Sequence, residues 1–220
     1  MTFVKICGTT SEEDALLAVA MGADAIGFTF APSTRQVAVQ VVRDILRRLP
    51  PEVLSVGVFR DEAPERVVEI VHAAGLRAAQ LHGRETPAQT QWIRARVPVV
   101  IKGFCAGDRA VAHAGDFGAD ITLVDSANPG SGKVFDWALA EDVPAGQRLV
   151  LAGGLNPGNV AAAIARVHPF GVDVVSGVEA RPGHKDPRLV RAFVSAAKAA
   201  DNHGWEPEDE APYDWSDGYP

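Results

Sequence analysis

"LVLAGGLNPGNVAAAIARVHPFGVDVVSG", residues 149–177, reads as strand, helix and strand in succession. The flanking runs, 149–154 and 171–177, are mostly apolar and β-branched, and each ends in small residues. Without polar alternation, such runs belong to strands covered on both faces, as in a parallel sheet. Between them, Asn156 and Pro157 make a good N-cap and first-turn pair for an alanine-rich helix. The stretch is therefore one βαβ unit.

Outward from it, the same unit recurs at a nearly constant interval. Strand-like runs stand at "FVKICG" (3–8), "AIGFTF" (25–30), "LSVGVF" (54–59), "AAQLHG" (78–83), "VVIKGF" (99–104) and "ITLVDS" (121–126). Most are followed by a helical pattern. Ser11 with Asp14 caps "SEEDALLAVAMG", and "VVRDILRRL" and "PERVVEIVHAAG" space their apolar residues three and four apart. The segment after the sixth strand is less helical and rich in Gly and Pro. Eight such units close most simply into a single-domain α/β fold, the (β/α)8 barrel. An open doubly wound sheet would show a dinucleotide fingerprint after its first strand, and "CGTTSEE" is not one.

Composition fits one domain with a sizeable core: 220 residues, 47% hydrophobic and 22% charged. No window approaches the ~18 uninterrupted apolar residues of a membrane span. A strand starting at the third residue leaves no room for a signal peptide. Two distant cysteines, Cys7 and Cys105, make no disulfide framework, so the expected compartment is the cytoplasm. Residues 201–220 hold seven acids and no Lys or Arg, which accounts for the whole net charge of −7. A neutral body of residues 1–200 with an acidic tail of 201–220 is a poor nucleic-acid binder. The tail's composition does not bury enough surface to fold alone.

In barrels of this kind, function gathers at the C-terminal ends of the strands. The pairs found there are Cys7-Gly8, Thr29-Phe30, His82-Gly83, Asp125-Ser126, Gly153-Gly154 and Ser176-Gly177. Small residues at 153, 154, 176 and 177, on the last two strands, suit phosphate held by backbone N–H groups, and Gly130, Ser131 and Gly132 are placed to close over it. Cys7 by position alone is either a small buried hydrophobe or a base. With Asp125 across the barrel it forms a couple suited to isomerisation, in which a thiolate takes a proton from carbon and a carboxylic acid gives one to oxygen. Arg35 suits a carboxylate or a phosphate, although surface arginines are common. Cys105 reads as structural and His82 as a wall residue. Six histidines without ligand spacing give no metal site. Lys5 and Lys102 fall two residues short of their strand ends, which argues against a Schiff-base aldolase. Period-two alternation also predicts an inward contact between Lys5 and Asp173.

In order along the chain, "KICG", "GFTFAPSTR", "QLHG", "LVDS…GSGKVFDW", "LAGGLNPGNV" and "GVDVVSGVEARPGHKD" resemble the phosphoribosylanthranilate isomerase family over roughly residues 3–195. The resemblance implies an Amadori rearrangement of N-(5′-phosphoribosyl)anthranilate in tryptophan biosynthesis. It implies Cys7 as general base, Asp125 as general acid and Arg35 on the anthranilate carboxylate. The phosphate falls on the glycine loops after strands six to eight, and the chemistry asks for no metal or organic cofactor. The partner implied is a small phosphoribosyl substrate, with no nucleic acid and no membrane. Two positions depart from the family pattern: Thr34 stands where a proline usually precedes the arginine, and Pro129-Gly130-Ser131-Gly132 stands for the usual GGTG. The competing readings are the analogous histidine-pathway isomerase, whose first strand ends in aspartate, and a catalytically silent barrel.

Overall fold

A computed structural model of the chain describes residues 1–126, 137–140 and 142–200. Eight parallel strands close in sequence order into a barrel: β1 Phe3–Ile6, β2 Ala25–Thr29, β3 Leu54–Phe59, β4 Ala78–Leu81, β5 Val99–Cys105, β6 Ile121–Asp125, β7 Leu149–Leu151 and β8 Gly171–Val174. Outside them lie α1 Glu12–Ala20, α2 Val39–Leu46, α3 Pro64–Ala74, α4 Pro87–Arg94, α5 Val160–Val167 and α6 Pro187–Ala199. A two-stranded hairpin, β9 Glu179–Arg181 and β10 His184–Lys185, follows β8.

Alternation along each strand divides the core in two. Val4, Ile6, Ile26, Val100, Val124 and Val172 join the helices in the outer layer. Phe3, Ala25, Leu54, Val99, Leu123 and Val150 fill the barrel interior. By the same parity Lys5, Cys7, Gln80, His82, Cys105, Asp125 and Asp173 belong to the inner face. The predicted Lys5 contact is present. β1 pairs with β8 with Lys5 opposite Asp173, and Lys5 Nζ lies 2.9 Å from Asp173 Oδ1 with both side chains buried. A lone charge at that depth would cost several kcal/mol, roughly, and the pairing avoids it.

Local chemistry sets the helix starts. Ser11 accepts the Asp14 N–H, Thr86 and Gln89 form a reciprocal capping box, and Asp186 accepts the N–H groups of Arg188 and Leu189. The Asn156 expectation needs correcting, since regular helix begins only at Val160. Asn156 still accepts the Gly158 N–H, and Asn159 reaches back to the Asn156 N–H at 2.8 Å. The cap therefore forms, but Asn159, at φ −125°, breaks the first turn away from the rest. Between β5 and β6 the connection is two short 3₁₀ turns within Arg109–Phe117, separated by a kink at His113 (φ −115°, ψ 19°), rather than an α-helix. Its buried residues, Val111, Ala114 and Phe117, recur every third position, the spacing that a three-residue turn stacks on one side.

Candidate active site

The inner-face residues at the C-terminal strand ends form the mouth. Cys7 is the first residue beyond β1, fixed by its N–H to the Val174 carbonyl at 2.9 Å. Its sulfur faces β2 at Gly27, where any Cβ would run into the Sγ atom. A glycine in the middle of a strand weakens it, and here its absent side chain is the space the thiol occupies. Cys7 is buried, and burial pushes its thiol above the ordinary value of 9.0, with Lys5 opposing that push. Burial also pulls on the Lys5 ammonium, but Asp173 and Cys7 outweigh it and hold its pKa above 10.5. The sulfur is thus a thiol in the resting site, beside a cation that favours its anion.

Asp125 closes β6 on the facing wall and is buried. Its Oδ1 accepts the Ser126 N–H at 2.6 Å. Its Oδ2 lies 3.4 Å from His82 Nε2, close but not aligned as a hydrogen bond. A Cβ on Gly153, two residues beyond β7, would run into the Ser126 N and come within 2.9 Å of Asp125 Oδ1, so this position must be glycine for the carboxyl to sit where it does. His82, expected as a wall residue, lines the mouth next to this carboxyl. Gln80 Nε2 holds its Nδ1 at 2.9 Å, and Gly103 leaves its ring room. Lys102 Nζ pins the turn behind it by bonding the Leu81 and Gly83 carbonyls and Glu85. Cys105, read as structural, sits one residue beyond the expected strand run of 99–104. It is the last residue of β5, in register with Asp125, and burial followed by the Asp125 charge raises its thiol pKa.

The structure brings Gly153, Gly154, Ser176 and Gly177 together around one small cavity that also touches Asp125 and Asp173. Close approach explains Gly177, where a Cβ would overlap the Leu155 carbonyl oxygen. Gly130, Ser131 and Gly132 lie outside the described residues.

Arg35 comes to the same mouth from the loop after β2. Its stem packs over Gly8, where a Cβ would stand 2.7 Å from Arg35 Cδ. Its Nε and Nη2 donate to Glu179 Oε1 and Oε2 at 2.8 and 2.6 Å. Lys185 from β10 is fully enclosed and donates to the Cys7 carbonyl at 2.6 Å, to the Val175 carbonyl and to Glu179. Glu179 and Lys185 were not singled out from the sequence. Two signals bear on them: both lie within the "GVDVVSGVEARPGHKD" stretch, and the Pro182-Gly183 turn between two short polar runs reads as a hairpin but not as part of a site.

The fold and this mouth define a barrel enzyme whose thiol and carboxyl face each other beside a glycine-lined cavity. Known proteins narrow the class. Residues 4–196 match the family model described as N-(5'phosphoribosyl)anthranilate (PRA) isomerase. The N-(5'-phosphoribosyl)anthranilate isomerase of Desulforudis audaxviator is 49% identical over 207 residues, covering 91% of this chain and 100% of that protein. The crystal structure of the phosphoribosyl anthranilate isomerase from Thermus thermophilus superposes with a TM-score of 0.86 at 40% identity, covering 91% of this chain and 100% of that one. Another isomerase of that name, solved with reduced 1-(o-carboxyphenylamino)-1-deoxyribulose 5-phosphate, gives a TM-score of 0.80 at 41% identity, covering 90% of this chain and 100% of that one. The chain belongs to the N-(5′-phosphoribosyl)anthranilate isomerase family.

Proposed function

We propose that this isomerase converts N-(5′-phosphoribosyl)anthranilate to 1-(2-carboxyphenylamino)-1-deoxyribulose 5-phosphate with Cys7 as base and Asp125 as acid. The observation that carries the assignment is the pair itself: a thiol beside a lysine ammonium and a buried carboxyl, at the ends of β1 and β6, around one mouth. Asp125 gives its proton to the furanose ring oxygen, and the C1′–O4′ bond opens to a protonated imine. The imine cation acidifies the C2′–H bond, and Cys7 removes that proton from its minor, thiolate form, which has first lost its proton to solvent and which the Lys5 ammonium favours. The resulting enolamine becomes the aminoketose as C1′ gains a proton and O2′ loses one. The phosphate rests on the backbone at 153–154 and 176–177, and Arg35 holds the anthranilate carboxylate. Turnover is tested by following the loss of anthranilate-type fluorescence with substrate made in situ. The histidine-pathway aminoaldose serves as the control and should not be turned over.

Arg35→Met should mainly weaken the hold on the aromatic ring. A desolvated guanidinium–carboxylate contact is lost, so the variant should no longer prefer the reduced product over its anilino counterpart without the ortho-carboxyl. An unchanged preference in paired titrations moves the carboxylate contact elsewhere.

The reading places the catalytic domain at residues 1–200. Among the described residues, the strand ends at the mouth and the closing helix α6 all fall before Ala200. Truncation after Ala200 should leave kcat/KM within about three-fold, below ~1 kcal/mol in activation free energy. A ten-fold loss in a folded truncation product would assign residues 201–220 a part in the site. Among the described residues no helix is long and apolar enough to cross a membrane. A small phosphorylated substrate and two free thiols support a cytoplasmic location.

A further inference from the structure

An arginine that recognises a carboxylate must present one planar edge of its guanidinium, and a long side chain on a loop does not hold an edge by itself. The loop carrying Arg35 runs Pro32-Ser33-Thr34-Arg35, with Thr34 rather than a second stiffening proline directly before the arginine. Its local support acts on the backbone: the Arg35 N–H on Ser33 Oγ at 3.0 Å, the Gln36 N–H on the Ser33 carbonyl at 3.1 Å and the Val37 N–H on the Thr29 carbonyl at 3.0 Å, which leave the Arg35 side chain unaimed.

The aim comes from the far end of the chain. Glu179 grips the Nε/Nη2 edge of Arg35 with both oxygens, at 2.8 and 2.6 Å. Glu179 is itself immobilised, because its Oε1 also accepts the Gly183 N–H at 3.2 Å and Lys185 Nζ at 3.3 Å. The hairpin supplying these donors is tied down in turn. Thr10 Oγ1 donates to the Gly183 carbonyl at 2.6 Å, the Lys185 N–H reaches Asp14 at 3.2 Å, and Lys185 Nζ holds the Cys7 carbonyl. Burial pushes the Glu179 carboxyl up, but the contacts with Arg35 and Lys185 outweigh it and hold the group below the ordinary carboxyl value, so it is an anion. The opposite, Nη1/Nη2 edge of Arg35 has no hydrogen bond to any described residue. It is a second two-donor edge, complementary to a second carboxylate.

We infer that Glu179 is the positioning residue of the carboxylate subsite, clamping one edge of Arg35 so that the other faces the aromatic carboxylate of the substrate. This rests on the reading of Arg35 given above and extends it. The β9–β10 hairpin thereby ties recognition of the ring to the loop that carries the base, through Lys185 on the Cys7 carbonyl.

Glu179→Asp isolates aim from charge: the carboxylate stays, but its stem is one methylene too short to span the same two donors. The variant is made in the wild-type and Arg35→Met backgrounds. Affinities are measured for the reduced product and for its anilino counterpart, together with kcat and KM. In the wild-type background the preference for the carboxylated ligand should fall about ten-fold or more. Affinity for the anilino ligand and kcat should stay within about three-fold. In the Arg35→Met background the same change should have no further effect. If Arg35→Met abolishes the preference and Glu179→Asp keeps it, Glu179 is not the positioning residue and Arg35 remains the carboxylate ligand. If Arg35→Met itself keeps the preference, the Arg35 reading fails and takes this one with it. Equal weakening of both ligands in Glu179→Asp would show a general loosening of the hairpin and overturn the specific role.

Discussion

Replacing Cys7 with alanine should lower kcat by about 10²–10⁴-fold, the usual cost of removing a general base, while the barrel stays folded. At 1.36 kcal/mol per factor of ten, that is roughly 3–5 kcal/mol of activation free energy. The fold should tolerate the change because the lost sulfur faces the mouth at Gly27 rather than the outer core. Lys5 also keeps its own partner in Asp173. Affinity for the reduced product should change little, since a base removes a proton and does not hold the ligand. Cys105→Ala is the informative control. Cys105 lies in register with Asp125 but is assigned no step, so its loss should leave kcat near wild type. The Cys7 thiol can also be read directly, as the thiolate absorbance of wild type minus that of the alanine variant. Burial raises this group, so its midpoint should lie above the 9 of an ordinary thiol, and thiolate should grow in only as pH rises through that midpoint. A Cys7→Ala enzyme within a few-fold of wild type would remove Cys7 from the role of base.

Periodicity made the barrel and half of the mouth legible. Once eight apolar runs define a closed sheet, parity along each strand states which residues share the interior with Phe3 and Leu123. The same parity sets Cys7 and Asp125 in the mouth and pairs Lys5 with Asp173. His82 was at the mouth by the same rule, but its proximity to Asp125 depends on a neighbouring strand in register and on the space left by Gly103. No single strand encodes that. Regular helix starts at Val160 rather than directly after Asn156, and β5 runs one residue further, to Cys105, because element ends tolerate such shifts. Glu179 and Lys185 were missed for a different reason. They follow the last barrel strand, in a hairpin with no apolar alternation, and their meaning comes from Arg35 and Cys7, more than a hundred residues earlier. Charge pairing at that separation leaves no periodic trace in a sequence.

Asp125→Asn should collapse kcat by a similar factor, about 10²–10⁴, by a different route. The amide has the shape of the carboxyl, and its oxygen can still accept the Ser126 N–H that Oδ1 accepts at 2.6 Å. The wall of the mouth and the contact with Gly153 should therefore survive, and affinity for the reduced product should hold. What the variant lacks is a proton to give to the ring oxygen, so ring opening becomes the slow step. Substrate deuterated at C2′ separates the two variants. In Cys7→Ala, breaking the C2′–H bond is the impaired step, and the isotope effect on kcat should be fully expressed. In Asp125→Asn the slow step precedes that bond cleavage, and the effect should shrink toward unity. A variant that loses affinity while keeping kcat would make Asp125 a binding group. A full isotope effect in Asp125→Asn would place its contribution at or after proton abstraction, and the acid for ring opening would then have to be sought elsewhere in the mouth, first at His82, 3.4 Å away.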